Sequence, residues 1–434
     1  MNDEQVHTLE VCRTLSDGSS VTVGNLAQNR QGVYFQYREG YLDRYNNLSP
    51  FNLSFDASLQ LAPKTPHNGL HGAFSDSLPD GWGLLLMDRV FRQAGIMPSQ
   101  ITAMDRLSFV GRRGMGALYY QPASGLLHNE QSEQLTVAEL GLQAQAVFDG
   151  QTSDILQALV NAGSSGGARP KAQLYLKEES VSFCSPIFCS TSRVKGSDAY
   201  LVKFTSSQLP LGHQEGLCEA TYLSMAAQAG IEVPCWQLVD APERSGAKQW
   251  LALKRFDTVS NSDGSEGRLH LHSASGLLDA DYRMPGLDYE TLIKVSSMLC
   301  KSPAAGQAMF RRMLFNLFAL NQDDHSKNWA FLQHDDGQWQ LAPFYDVTFS
   351  PSPYGEHATA FAGYGKQPGL QTMQKLAGLA NFASWKQAQQ VVAEVVAAIQ
   401  SFDDTARELQ VDQATRKLIS KQLNDVYLEN KRLL

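Results

Sequence analysis

"NQDDHSKNWAF", Asn321 to Phe331, begins by packing two acids, a histidine, a lysine and two asparagines into eight residues, directly after the apolar run "MFRRMLFNLFAL". Such a crowd is either a solvated loop capping a helix that ends near Leu320, or a chemical centre. The residues that follow favour the second reading. "WAFLQHD" and "QWQLAPFYDV" flank "DDGQ", a good turn for a β-hairpin. A hairpin brings its open ends together, and here those ends are Asn328 and Asp346. An amide and a carboxylate side by side suit Mg²⁺, a hard cation that prefers oxygen ligands and keeps several waters. Asp346 also sits inside the apolar "APFYDVTF", where an ionised carboxylate is costly unless it is paired or metal-bound.

Asp323 stands five residues before Asn328, and D-x-x-x-x-N with a second Asp downstream is the spacing of protein kinases. In that pattern the first Asp accepts the proton of the substrate hydroxyl, and the Asn and second Asp hold the metal. Lys327 is placed to neutralise charge on a transferring phosphoryl group, and His325 to orient the loop through backbone contacts. Upstream, "NAGSSGGARPKAQLYL" is a Gly/Ser loop running into a strand. Ser164, Ser165, Gly166 and Gly167 let backbone amides approach a phosphate, though the loop alone reads equally as a plain turn. It is no Walker A motif, because Ala168 stands where the second glycine belongs. A second glycine-rich piece, "VGRRGMGALYY", reads as tight turns. "DAYLVKFTS" is a strand with Lys203 among apolar neighbours, and the next helix, "GLCEATYLSMAAQAG", carries one acid, Glu219. A strand lysine needs an acidic partner or an anion; Lys203 with Glu219 is how a kinase positions ATP phosphates. "WLALKRFDT" then reads as a strand entering a hinge-like crossover, with Lys254 and Phe256 at the place where adenine would lie. The order of these pieces is more specific than any one of them.

The chain's bulk properties set the frame. Its 434 residues allow two or three domains, and 43% hydrophobic content is that of a globular protein. A net charge of −8 argues against the chain binding nucleic acid alone. None of the six cysteines has zinc-finger or CxxC spacing, which fits a reduced, cytoplasmic protein. The start "MNDEQVHTLEV" is no secretory signal, and no run reaches the roughly 18–20 apolar residues of a membrane span. Residues 1–125 read as a β-rich unit, with "GVYFQYREGYL" as strands around a turn and "PDGWGLLLMDRVFRQAG" as a helix ending at Gly95. A small lobe with phosphate loop and hinge is expected over 126–257, and a helical lobe with the catalytic and metal-binding motifs over 258–434.

With these pieces in order, the chain resembles the HipA family of bacterial toxin-type serine/threonine kinases. The resemblance is carried by "FSDSLPDGWG", "SSGGARPKA", "LVKF", "CEATYLSMAAQAGIEVP", "KRFD", "NQDDHSKNWAF" and "PFYDV", and it covers nearly the whole length. It implies an α+β fold: a bilobal kinase-like architecture related to phosphoinositide kinases, with a β-rich small lobe, a helical large lobe and an N-terminal β-rich subdomain. It also implies Mg²⁺- and ATP-dependent phosphorylation of serine on a protein, with aminoacyl-tRNA synthetases as the target class. Asp323 becomes the base, Asn328 and Asp346 the metal ligands, Lys203 the ATP lysine, and "KRF" the hinge. Ser164 and Ser165 become candidates for autophosphorylation within the loop, with Ser164 favoured by counting back from Lys171. The implied partner is a small helix-turn-helix antitoxin of HipB type, through which the chain would meet DNA. The sequence departs from the family pattern at Lys254, where a hinge acid is usual, at Arg169-Pro170, and in "LHLHSASGLLDADYR". The alternative is a catalytically weak nucleotide-binding module that acts as co-repressor with the antitoxin.

Overall fold

The computed structural model describes residues 6–126, 135–152, 157–163, 165–177 and 187–434. Its front sheet is antiparallel, in the order β4-β3-β2-β1-β5, built from Thr8–Thr14 (β1), Ser20–Gln28 (β2), Val33–Tyr37 (β3), Gln60–Leu61 (β4) and Leu118–Gln121 (β5). Alternate residues of these strands, Leu9, Val11, Val33 and Phe35 among them, bury one face under helices that include Ala103–Val110. The second half of "GVYFQYREGYL" departs from expectation. Glu39–Leu42 is a helical turn, because Tyr41 stacks on Tyr37 and its hydroxyl is held by the buried Arg13. The helix expected to end at Gly95 runs from Gly81 to Gln93.

The second sheet, also antiparallel, runs β10-β11-β9-β7-β8-β6. Its strands are Leu135–Thr136 (β6), Lys171–Lys177 (β7), Phe188–Ser190 (β8), Ser197–Lys203 (β9), Trp236–Asp240 (β10) and Gln249–Lys254 (β11). The period-2 alternation of β9 splits its work. Tyr200 and Val202 enter a core with the helix Val137–Phe148, while Leu201 and Lys203 face the cleft described below. That helix starts with a capping box: Thr136 Oγ1 accepts from the Glu139 N–H, and a Glu139 carboxylate oxygen accepts from the Thr136 N–H. The helix Glu215–Gln228 crosses the same sheet and joins it to the large lobe.

The large lobe is mainly helical, with Pro303–Ala319 as its central rod. Pro303 opens this helix, where its missing N–H costs nothing, and Leu320 ends it with φ +53. Strands also occur within 258–434. His270–Ser273, Ala330–Gln333 and Trp339–Leu341 form a three-stranded antiparallel sheet, so the expected hairpin has an extra strand beside it. The architecture is the expected bilobal, kinase-like α+β fold with a β-rich front unit.

The front unit is interlocked with the rest. Trp82 and Leu86 complete the small-lobe core. Arg13, fully buried, donates to the Gln333 side chain and to the Gln333 and His334 carbonyls. A Cβ on Gly72 would lie 1.9 Å from the Gly276 carbonyl oxygen, so only glycine lets these backbones approach. Among the described residues no helix is long and apolar enough to cross a membrane.

Candidate active site

The cleft lies between the two lobes and is open at its mouth. Lys203 anchors it from the small lobe. Its ammonium donates to Glu219 Oε1 and Oε2 at 2.7 and 2.8 Å, and to Asp346 Oδ1 at 2.7 Å. The antiparallel register places Lys203 beside β7 opposite Lys171, so two lysines face each other on the cleft side. Like charges in that position repel; the nearby carboxylates make the arrangement tolerable. Burial lowers the Lys171 ammonium to about 8, opposed by Asp346 and reinforced by Lys203. Burial also works against the charged form of Lys203, but Asp346 and Glu219 overcome it and hold the ammonium above its ordinary value.

Asp346 closes the cleft from the large lobe. Burial acts to raise its carboxyl, and Lys203, Lys171 and Arg169 together pull it well below the usual carboxylate range. Its backbone has φ +56, an uncommon conformation for a side-chain-bearing residue, of the kind that collects at functional sites. The hairpin explains its arrival. Ala342 donates to Ala330 across the strands, and the Tyr345 hydroxyl donates to the Lys327 carbonyl at 2.6 Å. Asn328 and Asp346 therefore line one cleft. The Asn328 amide nitrogen donates to the Asp323 carbonyl at 2.6 Å, which leaves its oxygen as the atom a cation would use.

Asp323 stands beside this cleft, with its side chain 67% exposed. Protein crowded around it raises its carboxyl, with His325 opposing and Asp346 reinforcing. His325 lines the cleft and accepts the Asn328 N–H at its carbonyl. Its ring nitrogen lies 3.9 Å from Asp323, too far for a hydrogen bond. Lys327 also lines the cleft; its ammonium pairs with Asp80 of the front unit at 2.7 Å and lies 4.4 Å from the Tyr282 ring centre.

Asp324, the second acid of the loop, is buried, so it is no solvated loop residue. Its carboxylate accepts from Tyr289, His357 Nδ1 and the Thr359 N–H, and its carbonyl accepts from Thr359 Oγ1 and Trp329 Nε1. It fastens the loop to the large lobe.

Ser165, Gly166 and Gly167 border the cleft, and Gly167 has φ +98, a conformation that suits glycine. Ser164 lies outside the described residues. Lys171 donates to the Gly166 carbonyl at 2.5 Å, and Arg169 pairs with Glu215 on the first turn of the neighbouring helix. At the hinge, the Lys254 ammonium is paired with Asp198 at 2.6 Å. What Lys254 offers a nucleotide is therefore its stem and backbone. Phe256 stacks on Tyr345 at 5.6 Å and lines the cleft.

Lys171, Asp80, Tyr345 and the buried Arg255–Asp257 pair were not singled out from sequence. Arg255 grips Asp257 through Nε and Nη2, and Asp257 accepts the Gly116 N–H, tying the hinge to the front unit. A serine, histidine and aspartate also line up at the domain interface. Ser49 Oγ is 2.8 Å from His272 Nε2, and Asp76 Oδ2 is 2.7 Å from His272 Nδ1. Ser49 and His272 are 1% and 0% exposed, so no substrate reaches them and the relay is a weld.

Among the described residues no three His, Cys, Asp or Glu side chains gather as a ready metal cage. Asn328 and Asp346 supply two oxygen donors, the set that fits Mg²⁺ sharing its remaining positions with water and phosphate.

The fold and the cleft define a kinase-like protein, and comparison gives its family. The model of the HipA-like C-terminal domain matches residues 163–402, and that of the HipA N-terminal domain matches residues 18–121. The chain belongs to the HipA family. A Haemophilus influenzae protein named "Putative kinase" is 24% identical over 200 residues, 44% of this chain and 54% of that relative, so the match spans about half of the relative's length. "Putative kinase Y4mE" of Sinorhizobium fredii is 26% identical over 363 residues, 78% of this chain and 77% of its own. A chain from the Shewanella oneidensis toxin–antitoxin complex of HipA, HipB and operator DNA superposes with a TM-score of 0.69 at 17% identity, covering 98% of this chain and 97% of that one.

Proposed function

We propose that this chain is a Mg²⁺- and ATP-dependent protein serine/threonine kinase, the toxin of a toxin–antitoxin pair. The observation that carries the reading is Lys203, held at once by the small-lobe Glu219 and the large-lobe Asp346. Bound Mg²⁺-ATP would supply the transferable phosphoryl group and the charge neutralisation at its oxygens. Around it, Lys203, fixed by Glu219, binds phosphate oxygens, as do the amides of Ser165 and Gly166, while Gly167, whose N–H is held by Asp80, gives the loop its turn. Asn328 and Asp346 hold the metal. Phe256 and the Lys254 backbone receive adenine. Asp323, two-thirds exposed, takes the proton from the substrate hydroxyl when ionised. Lys327 offsets charge on the phosphoryl group, and His325 fixes the loop through its carbonyl.

A protein serine is the acceptor, on an aminoacyl-tRNA synthetase in the reading the family suggests, and Ser164 or Ser165 is the acceptor within the chain. A helix-turn-helix antitoxin of HipB type supplies the DNA contact that a chain of net charge −8 does not. The setting is cytoplasmic. The test is incubation with Mg²⁺ and ATP, alone and with cell lysate, followed by phosphopeptide mass spectrometry. Wild type is expected to place phosphate on Ser164, Ser165 or a lysate protein, and Asp346→Asn on none. Nucleotide binding without any transfer by wild type would point instead to a nucleotide-dependent co-repressor.

A further inference from the structure

Asp80 belongs to the front unit, yet its carboxylate lies in the cleft. It is the N-cap residue of the helix Gly81–Gln93, and an aspartate there ordinarily accepts an N–H of its own helix. This one makes no such bond. Instead Oδ2 accepts from Lys327 at 2.7 Å, and Oδ1 accepts from the Gly167 N–H of the phosphate loop. The neighbouring backbone is bound in as well. The Trp82 N–H donates to the Gly167 carbonyl at 3.1 Å, and Trp82 Nε1 donates to the Lys171 carbonyl at 2.8 Å. A Cβ on Gly81 would lie 2.7 Å from the Gly167 carbonyl oxygen and the Ala168 Cα, so the two chain segments are in backbone contact. Trp82, buried in the small-lobe core, keeps the whole segment from drifting.

A helix has given up its cap so that one carboxylate can join a lysine of the catalytic loop to an amide of the phosphate loop. We infer that Asp80 is a positioning residue: through it the front unit sets where Lys327 and the phosphate loop stand relative to each other. The inference deepens the kinase reading and takes its turnover assay from it. A misplacement of about 1 Å in such groups costs on the order of 10²-fold in rate, which is the scale expected here.

Asp80→Ser is the informative variant, because serine caps helices as well as aspartate does but cannot reach and pair as the carboxylate does. Asp80→Asn is its companion, keeping an acceptor for Gly167 while removing the charge facing Lys327. Both are compared with Lys327→Gln and with the double variants, reading kcat, KM for ATP, the Kd of a fluorescent ATP analogue, and melting temperature. The expected result is a kcat loss of roughly ten- to a hundredfold in Asp80→Ser, measured well below its lowered melting temperature where the variant is folded, and a much smaller change in KM. Added to Lys327→Gln, the change is expected to cost clearly less than it does in wild type, because one of its two arms is that lysine and only the hold on Gly167 remains to be lost. Losses that multiply in the double variant would overturn the inference, as would full activity in Asp80→Ser. Tighter ATP binding at unchanged kcat would also overturn it, by making the carboxylate a competitor of phosphate. Absence of transfer in wild type would count against the kinase reading alone; the same cycle read in Kd would then decide the role of Asp80.

Discussion

Asp323 and Asp324 are adjacent in the chain and opposite in their surroundings. The Asp324 side chain is buried, and its two carboxylate oxygens accept from Tyr289, His357 and Thr359. The Asp323 side chain is two-thirds exposed, with no hydrogen-bond donor holding its carboxylate among the contacts described above. One loop thus has a face turned to the large lobe and a face turned to the cleft. A carboxylate that must exchange a proton needs open acceptor capacity, while one that holds a loop needs every lone pair committed. The scaffold of the first is the second.

Breaking the buried side should cost the most stability. Asp324→Ala leaves the Tyr289 hydroxyl, the His357 ring and the Thr359 N–H without their acceptor, and each orphaned group costs about 1–3 kcal/mol. A total of about 3–5 kcal/mol is expected in denaturant unfolding, with activity lost as the loop loosens. Tyr289→Phe probes one arm of the same network, since this hydroxyl also accepts from the Asn316 amide at the end of the central helix. It should cost about 1–3 kcal/mol, checked by the same titration. The smallest effect sharpens the exposed side. The Asp323 carboxyl is raised, and a base works only when ionised. The acid limb of kcat/KM should therefore fall with decreasing pH through a value above the ordinary ~3.9 of aspartate, while the melting temperature should decline slightly as pH rises through the same value, because a raised carboxyl favours its neutral form in the folded state.

Much of the cleft was legible in the sequence because its parts are short-range. The alternation in "DAYLVKFTS" puts Lys203 on one face of a strand, the next helix has a single interior acid, and a hairpin joins its own ends. Asp80 was illegible for the opposite reason. Its bond to Lys327 spans 247 residues and depends on how one folded unit docks on another, which no periodicity records. Lys171 became part of the site only through strand register, which sets it opposite Lys203. Asp324 was readable as a loop acid but not as a buried one, since its partners Tyr289 and His357 lie 35 and 33 residues away. The helical turn at Glu39–Leu42 escaped because Tyr41 is buried by stacking rather than by strand alternation.

The division of labour on this loop is tested most directly by measuring phosphotransfer and melting temperature together for wild type, Asp323→Asn and Asp324→Asn. The account predicts that Asp323→Asn loses roughly 10²–10⁴-fold in transfer rate at an unchanged melting temperature, and that Asp324→Asn lowers the melting temperature. Substantial transfer by Asp323→Asn, or equal destabilisation by the two changes, would contradict it.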